Sequence, residues 1–436
     1  ADYEQHRAVW NGSIQRRPAL IARCVDAADV TAALGFACDH DLLVAVRGGG
    51  HSFPGYSTCD RGLVVDLSPM KGVQIDPERR VGRVQAGVLI GQLDAAAQRH
   101  GLVVPAGVVT HTGVAGLTLG GGIGWLHRRF GLTIDQLLSA TVVLANGEVV
   151  RTSAQDHADL FFGLRGGGGN FGVVTEFEFR LHPLGPVVLA GPIFWPIAES
   201  PRLLRFYRDW IAEAPDELMT MVVHRRAPAL PFVPIELHGR LIVGVVCCYS
   251  GAVDDGERFL RPLRRFASPV LDLCRPKPFV DHQAMFDPSF PHGWWYYMRA
   301  CDVDALTDDV IDITAEYANR IRSPLTTFPI WQMGGAIGRL DEDETAFSGR
   351  GAKFAFNITA ATATSDGFDD ERDWVRSFWT ALTPHHRSVY VNFLMDEGDN
   401  RIRQAYGAEK YERLQALKKM YDPTNLLQLN QNIPPT

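Results

Sequence analysis

The sequence predicts an α+β fold in two parts, and three observations carry the prediction. The first 185 residues are glycine-rich and hold short β-type runs separated by helical stretches. The stretch HPLGP, His182 to Pro186, then breaks the pattern. Beyond it the glycine clusters disappear, and long aromatic strands alternate with amphipathic helices. That alternation predicts an antiparallel sheet covered by helices.

In the first part, LLVAV, GLVVDL, GRVQAGV and GVVTEFEFRL read as strands from their β-branched residues or their alternation of apolar and polar positions. DAADVTAALGFACDH and GQLDAAAQRHG carry apolar residues spaced by three and four and read as helices. TVVLANGEVVRTS reads as a hairpin, with Asn146 and Gly147 supplying the two positive φ angles of a type I′ turn. In the second part the strands are PVVLAGPIFW, LMTMVVHRR, IVGVVCCYS, GWWYYMRA, KFAFNITAA and SVYVNF, and the helices include DDGERFLRPLRRFA and DALTDDVIDITAEYANRI. A last helix, RIRQAYGAEKYERLQALKKMYD, stops before Pro423. The tail after it, NLLQLNQNIPPT, is too rich in asparagine to read as core.

Composition narrows the function classes. The 436 residues are 46% hydrophobic, which suits a chain with sizeable cores. Forty-three basic against fifty acidic residues give a charge of −7, and no basic run is long enough to track a phosphate backbone, so nucleic acid is not an expected partner. The apolar run LIVGVVCCY falls well short of the roughly 20 residues of a membrane-spanning helix. Seven cysteines show no CxxC spacing, so neither a disulfide scaffold nor a metal site is expected. The chain starts at Ala1 without a charged-then-apolar leader, and export after removal of a leader stays open.

Glycine concentrates in RGGGHS (47 to 52), GVAGLTLGGGIG (113 to 124) and LRGGGGNFG (164 to 172). Bare backbone turns amides toward a bound anion and admits a flat ligand; the alternative is a set of tight turns. Gly167, Gly169 and Gly172 formally satisfy GxGxxG, but a strand-like run follows them where a dinucleotide fingerprint needs a helix. Walker A, HExxH and GxSxG patterns are absent.

RGGGHS, PAGVVTHTGVAGLTLGGGIGWLHRRFGL, LRGGGGNFGVVTEFEF and the tail YDPTNLLQLNQNIPP, in this order, resemble the FAD-linked oxidases of the vanillyl-alcohol oxidase superfamily, with their PCMH-type FAD-binding domain, in the berberine-bridge-enzyme-like branch. The resemblance implies a discontinuous FAD-binding domain, residues 1–186 plus 401–436, and a substrate domain, 187–400. By motif match, the backbone of Arg47, Gly48, Gly49, Gly50, His51 and Ser52 would wrap the pyrophosphate. Gly113, Gly116, Gly120, Gly121 and Gly122 would line the other side of the cofactor. Gly172 and Val174 would lie near the adenosine, and Asn430 and Asn432 near the isoalloxazine. His51 matches the histidine bonded to the flavin in this family; the alternative is a hydrogen-bonded turn histidine. A bacterial cytoplasmic protein, monomer or homodimer, would fit.

The chain also departs from the family. A second attachment, a cysteine in PAGVC, is here Val109, so the resemblance implies FAD linked through His51 only. The tyrosine closing YxNY is Phe393, and a glutamate of the plant members aligns with Phe356. Both are equally readable as core. An alcohol substrate needs a base, worth about 100-fold to 10,000-fold in rate, whereas a neutral amine can release hydride without one. The expected substrate is therefore a small aromatic or heterocyclic amine or related metabolite. A sugar or secondary-alcohol oxidase using Tyr296, Tyr297, Tyr390, His111 or His282 as base, and an inactive flavin-binding protein, remain as alternatives. Trp331 and Gln332 are candidate substrate contacts, and Trp295, Tyr297 and Arg299 would share one strand face. Thr112 matches the position that gates dioxygen, the expected second reactant.

Overall fold

The computed structural model describes residues 2–436. Three short parallel strands come first, β1 (Leu20–Arg23), β2 (Val44–Arg47) and β3 (Leu63–Asp66), in the order β1-β3-β2. The helix Ala27–Asp39 makes the crossover from β1 to β2. It starts where its acidic residues say it should, because the Asp26 carboxylate accepts the Asp29 N–H at 3.0 Å. Val30, Ala33, Leu34 and Ala37 form its buried stripe.

Next come β4 (Val73–Asp76), β5 (Val81–Gln85), the two-residue β6 (Leu102–Val103), β7 (Leu137–Val143), β8 (Val149–Ser153) and β9 (Val173–Arg180). Apart from β6, they build an antiparallel sheet in the order β4-β5-β9-β7-β8. Along β9, Phe177 and Phe179 are buried while Glu176 and Glu178 are partly exposed, the alternation that identified this run as a strand after the glycine loop. The β7–β8 hairpin forms, but its turn is not type I′. Only Gly147 has positive φ, at 84°, and Leu144 N–H bonds to Glu148 O across three residues. One left-handed glycine after a type I turn gives the three-residue hairpin loop, so Asn146 caps Glu148 N–H instead of turning left-handed. The short β10 (His182–Pro183) pairs with β6 and closes this half.

The second half is dominated by one antiparallel sheet of β11 (Val187–Pro196), β12 (Leu218–Arg226), β13 (Leu241–Tyr249), β14 (Leu271–Asp272), β15 (Arg275–Pro278), β16 (Trp295–Val303), β17 (Thr327–Gln332) and β18 (Phe354–Thr362). The order is β14-β11-β13-β12-β17-β18-β16, with β15 also on β11. Alternate residues of these strands face opposite layers. One face, with Val222, Phe328, Ile330, Phe356 and Ile358, is buried with Leu203 and Tyr207, Leu260 and Leu263, Val310 and Ile311, and Val375 and Phe378 of four helices. The other face, with Met219, Met221, Val223 and Trp331, packs toward Ile123, Trp125 and Leu126 of the glycine-rich half.

Three expectations fail in the last fifty residues. SVYVNF is not a strand, since Val391–Phe393 makes a short 3-10 turn. Tyr390 and Asn392 tie it to glycine loops: Gly122 N–H donates to the Tyr390 hydroxyl at 2.8 Å, and the Asn392 amide donates to Leu117 O at 3.0 Å. The final helix is two, Asp399–Tyr406 and Ala408–Tyr421, separated by Gly407 at φ 76° and ψ 160°. The asparagine-rich tail is also not purely surface. Leu427 and Ile433 are buried with Phe161, Phe171 and Leu414. Asn170, from the LRGGGGNFG loop, accepts Ile433 N–H and donates to Gln431 O.

Candidate active site

A cleft of about 360 Å³ lies between the glycine loops and the sheet. Its floor is the backbone of Gly48, Gly49, Gly50, Gly113, Gly116, Gly168, Gly169 and Gly172, with Val174 and Asn430 at one end. Its roof is the second face of the sheet: Met221 and Val223 from β12, Thr327, Pro329 and Trp331 from β17, and Asn357 and Thr359 from β18. His51, Ser52, Val109, Thr112, Tyr390 and Phe393 complete the wall. Most of the positions singled out from the sequence therefore converge here.

Others do not. Arg47 points its side chain away from the cleft, into an ion pair with buried Asp66 at 2.8 Å, and so braces β2 against β3. Gly120, Gly121 and Gly122 pack beneath the floor, where a Cβ would strike Asn392, Phe347 or Tyr390, and Thr133 respectively. Asn432 lies in the tail outside the lining. Gln332 faces the opposite layer, where its amide oxygen accepts from Thr220 N–H and Oγ1 at 3.1 and 2.9 Å. Phe356 is core under the helices. Strand alternation gives the reason: on β18 the residues facing the cleft are Asn357 and Thr359, one position out of phase with Phe356. Trp295 and Tyr297 do share a face, but it is the helix-covered one. Tyr296 and His282 are buried outside the lining.

His51 is held in the wall from several sides. Its ring stacks on Trp10 at 4.8 Å and 18°, and Trp10 stacks on Tyr296 at 3.9 Å. Trp10 is fixed in turn by its indole N–H, which donates to Phe290 O at 2.8 Å. His51 Nε2 lies 2.6 Å from His111 Nδ1, while its Nδ1 has only a long hydrogen bond, 3.5 Å, to Thr112 Oγ1. Burial, followed by His111 and His292, holds His51 well below the usual imidazole pKa. A neutral imidazole is nucleophilic. Trp10 was not singled out from the sequence; its only signal was the motif VWNGS in the opening segment.

Among the described residues, no Asp, Glu, Lys, Arg or Cys lines the cleft. Val109 and Phe393 present hydrocarbon, and Phe393 packs 6.0 Å from Trp331. The titratable wall groups are His51, Tyr56 and Tyr390. The Tyr390 hydroxyl accepts from Gly122 N–H and from the Asn392 amide at 2.8 and 2.7 Å. Burial outweighs those two donors and pushes its pKa up to about 12.

The residues fit a flat, elongated cofactor such as FAD. A Cβ on Gly116 or Gly169 would meet no protein atom within 4 Å, so their bare backbone borders open space rather than packing. Three buried polar atoms of the lining, Ser57 Oγ, Trp331 Nε1 and Asn430 Oδ1, have no protein partner. A ligand with an apolar ring and polar edges would satisfy both features.

A glycine-floored cleft closed by an antiparallel sheet, with a histidine held against its wall, defines a flavin-dependent oxidoreductase. Comparison with known proteins agrees. A family model described as "FAD binding domain" matches residues 18–153, and one described as "Berberine and berberine like" matches 389–434. An FAD-linked oxidoreductase of Dictyostelium discoideum is 31% identical over 98% of this chain and 91% of its own. The (R)-6-hydroxynicotine oxidase of Paenarthrobacter nicotinovorans is 30% identical over 98% and 93%. The crystal structure of 6-hydroxy-D-nicotine oxidase from Arthrobacter nicotinovorans superposes with a TM-score of 0.90 at 28% identity, covering 100% of this chain and 96% of that one. The chain belongs to the PCMH-type FAD-linked oxidases, in their berberine-bridge-like branch, and is an FAD-dependent oxidoreductase. No helix among the described residues is long and apolar enough to cross a membrane.

Proposed function

We propose that the protein is an oxidase that carries FAD bonded to His51 alone and oxidises a small aromatic or heterocyclic amine, or a related metabolite, in the space between flavin and sheet. Bound FAD supplies a two-electron acceptor that takes hydride from the substrate and is reoxidised by dioxygen to give hydrogen peroxide. The observation that carries the reading is the wall itself: a nucleophilic His51 on one side, and hydrocarbon at Val109 and Phe393, where relatives could place a thiol or a phenol.

His111 engages Nε2 of His51 and fixes its ring, so Nδ1 is the atom through which His51 would hold the flavin. With no carboxylate in the lining, the apolar wall disfavours an ammonium ion and favours the neutral amine, whose lone pair drives hydride release. Trp331 supplies a flat apolar surface for the substrate ring, and Thr112, a small residue of the wall, would leave room for dioxygen beside a bound flavin. The division into 1–186 plus 401–436 and 187–400 belongs to the same reading. Burial of Tyr411, Leu414, Leu427 and Ile433 with the first half supports it, and Val389, Val391 and Leu394 in that cluster draw the seam toward 389.

One observation favours alcohol oxidation instead. Tyr390 is a cleft phenol whose oxygen receives two hydrogen bonds, which work against the burial that raises its pKa and hold the hydroxyl in place to accept a substrate proton. Anaerobic mixing with an amine series and an alcohol series, read by flavin bleaching, separates the two. Amines should bleach the flavin faster as pH rises and free amine accumulates, and Tyr390→Phe should keep most of that rate. Bleaching by alcohols alone, abolished in Tyr390→Phe, would overturn the amine reading. For the linkage, acid precipitation should leave yellow flavin with the wild-type chain and release it from His51→Ala; flavin freely extracted from the wild type would refute it.

A further inference from the structure

The polar side chains of the cleft roof are gathered in one corner. Register places Arg225 of β12 beside Thr327 of β17, and Thr327 beside Thr359 of β18. Three neighbouring strands span roughly 10 Å, within reach of one arginine and one small ligand. Asn357 follows two residues along β18 on the same face. The adjoining roof residues, Met221, Val223, Pro329 and Trp331, are apolar.

Arg225 is partly buried and has no carboxylate within salt-bridge distance among the described residues. Nε donates to Arg226 O and Nη1 to Ser289 Oγ at 3.0 Å, while Nη2 has no protein partner. Ser289 belongs to the segment that brings Phe286 and Phe290 to the cleft, so the guanidinium stands behind the junction of roof and end wall, next to the lining residue Thr327 and not itself part of the lining. Burial lowers its pKa to about 10, which leaves it charged at neutral pH. On the other side of the corner, the Thr359 hydroxyl donates to Asn357 Oδ1 at 2.5 Å. That bond orients the amide so that its NH2 remains free to donate.

We propose that Arg225 and the Asn357 amide bind the carboxylate of the substrate, with Thr327 and Thr359 framing the space between them. One uncompensated cation balances a monoanion, and a charged guanidinium set at the edge of an apolar cleft needs such a partner. The substrate is then an aromatic or heterocyclic amine that also carries a carboxylate, with its oxidisable carbon held away from that carboxylate under Trp331 and Phe393. The inference rests on the proposed function above, since it takes the cleft as the substrate site beside the flavin.

The test is a binding titration of the flavin-loaded protein with phenylacetate and with phenylacetamide, which has the same body without the charge. Binding is read from the flavin absorbance band and, independently, by calorimetry. Phenylacetate should bind at least about tenfold more tightly than phenylacetamide, the worth of one charge-assisted hydrogen bond. Arg225→Met should erase that preference, Arg225→Lys should keep part of it, and Asn357→Leu should reduce it. Circular dichroism checks the fold, and Arg225→Lys serves as the charged, conservative control if Arg225→Met does not fold. Equal binding of the two probes by the wild type, or an unchanged preference in Asn357→Leu and either Arg225 variant, overturns the proposal. Purification of the chain without flavin would instead overturn the flavin reading on which it rests.

Discussion

At the scale of single residues, the glycines of the floor divide into two kinds. Gly49 and Gly113 meet backbone to backbone: a Cβ on either would fall closer than 3.0 Å to the other's N and Cα, and backbone cannot swing aside as a side-chain tip can. They clamp the RGGGHS and THTGVAG loops together and so set where His51 stands. Gly116 and Gly169, in contrast, border open space. In a His51→Ala background, where flavin can be removed, Gly49→Ala or Gly113→Ala should lower apoprotein stability by about 1–3 kcal/mol through overpacking. Gly116→Ala should leave it unchanged or raise it by about 0.5–1 kcal/mol, since the residue lies in the short helix Val114–Gly120, while weakening FAD binding. Urea unfolding and FAD titration measure the two effects. Full FAD affinity in Gly116→Ala would place the cofactor elsewhere. The sequence marks all four glycines alike because a glycine reports that a side chain is excluded, not what excludes it. It assigned Arg47 to the pyrophosphate loop and gave no sign of its side chain's partner, Asp66, which another strand supplies.

At the scale of elements, legibility followed how local the deciding forces are. Strands with clear β-branched runs and helices with capped starts appear where their patterns put them, because alternation and capping act within a few residues. Two readings needed partners distant in sequence, and a third turned on local backbone conformation. SVYVNF has a strand's composition, yet its neighbours are the Gly122 and Leu117 backbones, which take up Tyr390 and Asn392. The phase of β18 decides whether Phe356 or Asn357 faces the cleft, and a run as uniformly buried as FAFNITAAT gives no alternation to read. The break of the final helix at Gly407 did leave a sign, a glycine after a tyrosine, but helical periodicity on both sides hides it. There φ 76° with ψ 160° is a region almost restricted to glycine, and no protein atom lies near the missing Cβ. Gly407→Ala should therefore cost about 1–3 kcal/mol from backbone strain alone. A urea midpoint equal to wild type would mean that the two helices rearrange into one at no cost.

At the scale of the whole molecule, burial of neutral imidazoles sets how the fold responds to acid. His127, His224 and His282 are fully buried, and burial lowers their pKa values to about 4, about 3 and about 3. His127 and His224 each have one hydrogen-bond partner, whereas neither ring nitrogen of His282 has one; it packs 4.2 Å from Trp125 between the glycine-rich half and the sheet. The unfolded chain binds protons at these groups near pH 6.5 while the folded chain does not. Stability is thus complete above about pH 6.5 and falls as pH drops toward the folded values, by about 1.4 kcal/mol per pH unit for each such group. His282→Phe removes one group, keeps an aromatic ring against Trp125 and forfeits no hydrogen bond. At pH 8 its urea unfolding free energy should lie close to wild type or above it. Between pH 6.5 and 5 the variant should lose stability less steeply, gaining on wild type by about 2 kcal/mol over the interval. Parallel curves would show that His282 takes up its proton in the folded protein as readily as in the unfolded one, and that the contact between the two halves admits a charge.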